Sequence, residues 1–180
     1  NDCCGNAYGG AIWAQIQYYN NSDNSYIGGK ATFKNCTFVD NYVETKEENR
    51  SADGAAIHAG WGNDRKIYML NTIIWGSRSI QNGSDWAGVP ANQLHVDVDD
   101  GTNHKFIVNY SNIENSTGRN FDDTHIYDIT PGFKDSDNSD FSLDDASPLI
   151  GTGLATWTEE GIVAPTKDMN KITRGTVPDI

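Results

Sequence analysis

One short stretch of the chain recurs at nearly regular spacing. Residues 66–75 read KIYMLNTIIW, and related segments begin at Lys30 and Lys105. The leading lysines are 36 and 39 positions apart. Repeats in this range are typical of solenoids and propellers, in which each copy buries its apolar face only against its neighbours. The repeat therefore constrains the architecture, whereas no motif fixes a reaction.

Within the three copies, apolar residues alternate with mixed ones. Three columns are apolar in every copy: Ala31, Ile67 and Phe106; Phe33, Met69 and Val108; Phe38, Ile74 and Ile113. This period of two predicts short strands with one strictly buried side. Asn35 and Asn71 share the column in the middle of the copy, where asparagine suits a bend with left-handed backbone geometry. Tyr110 takes that place in the third copy, so the asparagine is not kept.

A second set of repeats interleaves with the first. It reads GGAIWAQI from Gly9, GAAIHAGW from Gly54 and QLHVDV from Gln93. If adjacent coils pair as parallel strands, alternation directs one set of side chains inward: Ile12, Ala14, Ile57, Ala59, Leu94 and Val96. Trp13, His58 and His95 then form an outward column with a step of about 4.8 Å.

Polar stretches separate the repeats and follow them. Residues 18–29, 40–53 and 76–92 are rich in turn formers and are interpreted as surface loops. After Asn115 the repeat fades. We therefore expect coils over residues 1–115 and a capping segment of the same domain over 116–180, because the last coil of a solenoid needs a cover.

Composition excludes several classes of protein. The formal net charge is −12, so a basic nucleic-acid footprint is absent and no nucleic-acid partner is expected. No apolar stretch approaches the length of a transmembrane segment. The chain starts at Asn1, which indicates a processed protein or a fragment of a larger one. Three cysteines form no disulfide framework; Cys36 is interpreted as a small buried thiol, with a bridge to Cys4 as the alternative.

Several segments, in order, resemble a known group of proteins. They are GGAIWA, NCTFVDN, NTIIWGS and VNYSNIEN, followed by DITPGF, DFSLDDASPLIGTG and RGTVPDI. The chain is similar to secreted bacterial right-handed parallel β-helix proteins with a choice-of-anchor Q type C-terminal domain. The resemblance implies an all-β right-handed parallel β-helix, a solenoid with long loop excursions and an irregular C-terminal cap. It also implies export to an extracellular or outer cell-surface location, commonly no demonstrated catalysis, and further residues beyond both ends.

Three groups of residues are candidates for binding. The outward column, with Asp97 beside it, could hold a metal or a sugar acid; the alternative is a solvated face with two unrelated histidines. Loop aromatics could stack on a sugar or instead pin their loops: Tyr18, Tyr19, Trp61 and Trp86. The acidic run offers oxygen ligands for calcium through Asp97, Asp99 and Asp100. Residues from Asp135 onward fail as an EF-hand loop because Asp140 stands where glycine is required.

These observations favour a non-catalytic surface scaffold with adhesive or glycan-binding loops, part of a larger exported bacterial protein. Its expected partners are a polysaccharide or surface glycan and other surface or secretion-system proteins, with Ca²⁺ as a candidate cofactor. The alternative is a polysaccharide lyase or glycoside hydrolase of the β-helix type, since carboxylate pairs are set by spacing in three dimensions. A third reading is a purely structural stalk. The lysine column of Lys30, Lys66 and Lys105 is interpreted as flanking the acidic loops.

Overall fold

The computed structural model describes residues 6–14, 17–46, 50–60, 66–85, 93–96, 105–116 and 122–180. This part of the chain is all-β, and its one helix is a 3₁₀ turn at Ser136–Asn138. The strands before residue 60 are β1 (Ala7–Tyr8), β2 (Ile12–Ala14), β3 (Gln17–Asn20), β4 (Ser25–Gly28), β5 (Lys30–Lys34), β6 (Thr37–Val39), β7 (Tyr42–Thr45), β8 (Ala52–Asp53) and β9 (Ile57–Ala59). The later ones are β10 (Lys66–Leu70), β11 (Ile73–Trp75), β12 (Arg78–Gln81), β13 (Ser84–Asp85), β14 (Leu94–Val96), β15 (Lys105–Ile113), β16 (Asp122–Tyr127), β17 (Phe133–Asp135), β18 (Asp140–Leu143), β19 (Thr156–Trp157) and β20 (Ile162–Val163).

The second set of repeats forms a parallel sheet with the expected register. Its order is β14-β9-β2. Ile12 pairs with Ile57, and Ile57 pairs with Leu94. The alignment made on these three residues is therefore confirmed. Ile57 and Leu94 are buried as expected, whereas Ile12 on the edge strand is only half-buried.

The lysine-led copies lie in a second sheet, of order β5-β10-β15-β11-β6 with β16 beside β15. Ile74 and Ile113 are aligned residues of the repeat and are direct partners. The apolar columns are buried in the second and third copies: Ile67, Met69, Ile74, Phe106, Val108 and Ile113. Ala31, Phe33 and Phe38 of the first copy are half-buried, because β5 and β6 end the sheet and have a neighbour on one side only.

The interpretation of residues 18–29, 40–53 and 76–92 as loops was wrong in part. Strands β7 and β12 pair in parallel, with Tyr42 opposite Arg78 and Val43 opposite Ser79. β3 and β4 form an antiparallel hairpin. Val43 and Ser79 are both buried. The pattern was missed because half of the buried pair is a serine, which carries no apolar signal.

A further strand lies beyond Asn115, within the segment interpreted as a cap. β16 pairs in parallel with β15, with Ser111 opposite Ile126 and Asn112 opposite Tyr127. The segment interpreted as a cap therefore begins with one more parallel strand. The strand was missed because residues 122–127, DDTHIY, are mostly polar and follow β15 far sooner than the repeat length predicts.

A column of left-handed residues marks the bend of each copy. Asn35 and Asn71 have φ values of 50° and 51°, which confirms the interpretation of the asparagine column. Tyr110, with φ 47°, keeps the conformation without the asparagine, and His125 in β16 continues it at 61°. The backbone geometry is therefore more regular than the side chains.

A second left-handed position follows each copy, at Asp40, Gly76 and Asn115. Gly76 has φ 68°, and a Cβ built on it would clash with the Asp40 carboxylate. Only glycine fits that approach without displacing the carboxylate.

The chain divides into two compact units. Unit 1 comprises Asn1–Ala31, Phe38–Ile67 and Gly76–Phe106; unit 2 comprises Thr32–Thr37, Tyr68–Trp75 and Ile107–Ile180. In unit 1, Val43, Ala52 and Ala55 form a small core. Unit 2 has two clusters, one of which contains Tyr68, Leu70, Ile107, Trp157, Ile162 and Ala164, and the other Ile73, Leu149 and Ile180.

In unit 2 the asparagines bind the C-terminal segment. Asn71 is fully buried; its Nδ2 donates to the Leu154 carbonyl at 2.9 Å, and its Oδ1 accepts from the Leu154 amide at 2.8 Å. Asn35 Nδ2 donates to the Asp179 carbonyl at 3.2 Å. Gly153 allows this approach, because a Cβ there would lie 2.7 Å from the Pro178 oxygen.

Two further expectations concern cysteine and membranes. Cys36 is a free thiol, and it is half-buried rather than buried; burial raises its pKa although its Sγ donates to the Lys34 carbonyl. Cys3 and Cys4 lie outside the described residues. No helix among the described residues is long and apolar enough to cross a membrane.

Candidate functional site

Parallel pairing brings three aromatic side chains of unit 1 into one column. Trp13 pairs with His58, and His58 pairs with His95. The rings of His58 and His95 stack with centroids 5.0 Å apart and an interplanar angle of 13°. The ring of Tyr8, from β1, lies against the His58 ring, with the two centroids 4.4 Å apart. These four side chains, Tyr8, Trp13, His58 and His95, are called the histidine column below.

The expectation that the whole column faces solvent is wrong for its central member. His58 is 0 % exposed, because the Tyr8 and His95 rings pack against its imidazole. Trp13 is 57 % exposed and Tyr8 is 37 % exposed. Trp13 lies against Gly60, where an added Cβ would be 3.0 Å from the indole Nε1. The column therefore has a buried centre and an exposed aromatic rim.

One carboxylate lies beside the column. Asp53 Oδ1 is 3.8 Å from His95 Nδ1, and the Asp53 residue is buried. The contact becomes an ion pair only when the imidazole is protonated. Asp97, the acidic neighbour expected from the sequence, lies outside the described residues. The exposed rings thus lie beside a partly exposed imidazole, that of His95, which is in contact with a buried carboxylate.

The remaining sequence candidates do not join this site among the described residues. Tyr19, on hairpin strand β3, is 47 % exposed and donates its hydroxyl to Asn24 Oδ1 at 3.0 Å. Tyr18 lies in the same strand, where its backbone pairs with Ile27. Five candidates lie outside the described residues: Trp61, Trp86, Asp97, Asp99 and Asp100. Over the described ranges, no group of three or more His, Cys, Asp or Glu side chains could hold a metal ion.

Unit 2 contains a groove that the sequence did not predict. Its volume is about 600 Å³, and its walls include Tyr110, His125, Trp157, Glu159 and Glu160, with Ile107, Asn109, Leu154, Thr156 and Thr158 completing the lining. The Tyr110 and His125 rings stack at 4.3 Å with an interplanar angle of 20°. We call this cavity the unit 2 groove.

Trp157 forms a fixed part of the groove. It is 8 % exposed and packs edge-on against Tyr68, with ring centroids 6.1 Å apart. The groove was missed because residues 116–180 were interpreted as a cap. Tyr110 and His125 lie at the same bend because Asn109 pairs with Thr124 and Ser111 with Ile126, and the two segments, NYS and THI, share no residue by which the sequence alone would align them.

Comparison with known proteins yields no match to any family model, curated protein or solved structure. The fold and the site therefore define the class: an all-β protein with parallel sheets, an aromatic-rimmed histidine column in unit 1 and an aromatic and acidic groove in unit 2.

Proposed function

We propose that the chain is a right-handed parallel β-helix scaffold from a secreted bacterial protein of the choice-of-anchor Q type, and that it binds a surface glycan. Support for the solenoid comes from two parallel pairings between aligned segments, Ile12 with Ile57 and Ile74 with Ile113. A third parallel pairing, Val43 with Ser79, has the same offset of 36 residues as Lys30 and Lys66. The repeated left-handed bends add to this support. Repetition of this kind suits a scaffold whose coils contact only their neighbours.

The observation that carries glycan binding is the exposed aromatic rim of the histidine column. Trp13 and Tyr8 expose large rings, while the buried His58 packs against the Tyr8 ring and pairs with Trp13 in the adjacent strand. Exposed rings of this size bind the apolar faces of sugars, and their polar edges remain in contact with water. Asn6 Nδ2 donates to the Tyr8 hydroxyl at 2.7 Å, which orients that edge. The stacked and paired side chains preorganise the rim and so lower the entropy cost of binding.

A glycan array with single variants tests the rim. We expect Trp13→Ala to weaken binding about tenfold, since aromatic stacking contributes about 1 kcal/mol or more and 1.4 kcal/mol is a factor of ten. Tyr8→Ala should weaken it less. Tyr42→Ala is the matched control, because Tyr42 is also a surface ring, 61 % exposed, but lies in β7 of another sheet. Equal binding by the Trp13 and Tyr42 variants, or no binding by the wild-type chain, would contradict the proposal.

The β-helix itself is testable through its register. In a background without other cysteines, the pair Tyr42→Cys and Arg78→Cys should form a disulfide on mild oxidation, because these exposed residues are direct partners in adjacent parallel strands. The control pair Tyr42→Cys and Ser79→Cys points to opposite faces and should remain reduced. Equal oxidation of both pairs would refute the register.

The enzymatic alternative, a polysaccharide lyase or glycoside hydrolase, makes a different prediction. Incubation with acidic and neutral polysaccharides would release unsaturated or reducing ends. We propose that no such product forms and that the chain acts by holding its ligand.

Export to the extracellular or outer cell surface is part of the same proposal, and protease accessibility on intact cells tests it. Contacts with other surface or secretion-system proteins would use the same exposed position.

A further inference from the structure

The unit 2 groove lies where the left-handed column changes its residue type. Asn35 and Asn71 hold the first two positions, and asparagine accepts positive φ with little strain. Tyr110 and His125 hold the next two with φ 47° and 61°. A bulky tyrosine with positive φ is a conformational outlier, and such outliers cluster at functional sites. At the groove, tyrosine and histidine therefore occupy positions whose positive φ would suit asparagine better.

These two side chains form the aromatic wall. Tyr110 is half-buried and His125 is exposed, and their rings stack at 4.3 Å. Trp157 adds a third ring to the lining, held in place against Tyr68. A rigid set of flat rings inside a concave site of about 600 Å³ matches the size of small-molecule pockets. Each stacked ring covers one face of the other and Tyr110 also packs against the buried cluster, so the exposed His125 ring offers the free face of the wall. Thr156 and Thr158 add hydroxyl groups beside it.

Charge narrows the class of ligand. Glu159 is exposed and Glu160 is half-buried, and both line the groove. Its ten described lining residues include no lysine or arginine. An acidic sugar chain would meet like charge there, with no lysine or arginine among these described residues to offset it. Neutral hydroxyls can donate to the carboxylates, and an amino group can pair with them.

We propose that the unit 2 groove binds a non-acidic saccharide, stacked on the exposed His125 side of the Tyr110–His125 ring pair and held by hydrogen bonds or an ion pair to Glu159 and Glu160. This site is distinct from the histidine column and does not depend on it. Either site can fail while the other stands.

Substitution of Tyr110 by asparagine tests the proposal directly. Tyr110→Asn restores the residue type found at Asn35 and Asn71, so it relaxes the backbone while it removes the aromatic wall. Tyr110 also packs against the buried cluster that contains Tyr68 and Ile107, so we expect a lower melting temperature for the folded variant together with saccharide binding weakened about tenfold or more. His125→Asn, at an exposed position, should weaken binding with little change in melting temperature. A merely structural tyrosine would lower the melting temperature in the same way but leave saccharide binding by the folded variant unchanged.

The binding measurement is titration calorimetry on the full chain with four tetrasaccharides: of glucose, of N-acetylglucosamine, of glucosamine and of galacturonic acid. The proposal is supported if at least one of the first three binds and Tyr110→Asn weakens that binding while Trp13→Ala does not. It is overturned if none of these three binds, if only the galacturonic acid tetramer binds, or if folded Tyr110→Asn binds as tightly as the wild type. Weakening by Trp13→Ala alone would assign the saccharide to the histidine column and also overturn it.

Discussion

The asparagine column of unit 2, formed by Asn35 and Asn71, and the histidine column of unit 1 are both rows of side chains from paired strands. They differ in what their polar atoms and rings contact. Each stacks side chains from successive repeats around a fully buried member, Asn71 or His58. Asn71 finds its partners in backbone groups of Leu154, so its polar atoms are used inside the fold. His58 is covered by aromatic rings, and beside them Trp13 remains 57 % exposed. A column whose polar atoms hydrogen-bond to backbone groups stabilises the structure, whereas a column with exposed rings is available to a ligand.

Among the variants that test this comparison, Asn71→Ala should lose the most free energy of unfolding. Asn71→Ala leaves the Leu154 amide and carbonyl without partners and puts alanine at φ 51°, so we expect a loss of about 3 kcal/mol in the free energy of unfolding. Urea denaturation measures it. Asn71→Gly tolerates the backbone geometry and isolates the hydrogen-bond contribution, so it should lose less. A loss below about 1 kcal/mol for the alanine variant would show that the column is not what anchors Leu154.

The histidine column should separate stability from binding. His58→Ala opens a cavity between the Tyr8 and His95 rings, and we expect a loss of about 2 kcal/mol in the free energy of unfolding. Trp13→Ala should cost under about 0.5 kcal/mol because the ring is mostly exposed. Thermal melts of the two variants, read beside their glycan binding, check the division. If Trp13→Ala destabilises as much as His58→Ala, the rim is structural.

Asn35 should contribute less than Asn71. It is half-buried, and its Nδ2 makes one bond to the Asp179 carbonyl while its Oδ1 accepts a longer bond of 3.4 Å from Asn71. We expect Asn35→Ala to cost about 1 kcal/mol in urea denaturation. The double variant with Asn71→Ala should be less than additive, because the two residues share a hydrogen bond. Strict additivity would mean that the two asparagines act independently.

The smallest effect is expected at Asp140, outside both columns. The Ser142 hydroxyl and amide donate to this exposed carboxylate, and these bonds lower its pKa. Because the folded pKa lies below the unfolded one, the stabilisation is present above the unfolded pKa and is lost as the pH falls through the folded pKa. Ser142→Ala should move the pKa of Asp140 back toward its ordinary value. An NMR titration of the carboxyl resonance checks this, and an unchanged pKa would assign the shift to other groups.

Sequence reasoning reached the parts of the fold that depend on apolar alternation. The register of Ile12, Ile57 and Leu94 follows from spacing, and the left-handed bends follow from the chemistry of asparagine. Strands β12 and β16 were not predicted, and the reason is physical. Their buried or paired positions carry residues such as Ser79 and Thr124, which satisfy the backbone pairing without an apolar side chain.

The candidate sites were predictable to different degrees. The histidine column needed only the parallel register, although the burial of His58 required Tyr8, whose β1 strand is two residues long and has no recognisable period. The unit 2 groove brings Tyr110 together with Glu159 and Trp157, which are nearly fifty positions away. Contacts of that range between irregular segments leave no periodic signal in one sequence.

The hydrogen bond between Asn35 and Asp179 joins residues 144 positions apart. It closes a long loop, so in a nascent chain the amide of Asn35 has to wait until almost all later residues of this sequence have been synthesised. Contacts of such long sequence separation slow folding. Leu154, the partner of Asn71, is synthesised 25 residues before Asp179, so the partners of the asparagine column become available in two steps, for Asn71 first and for Asn35 last.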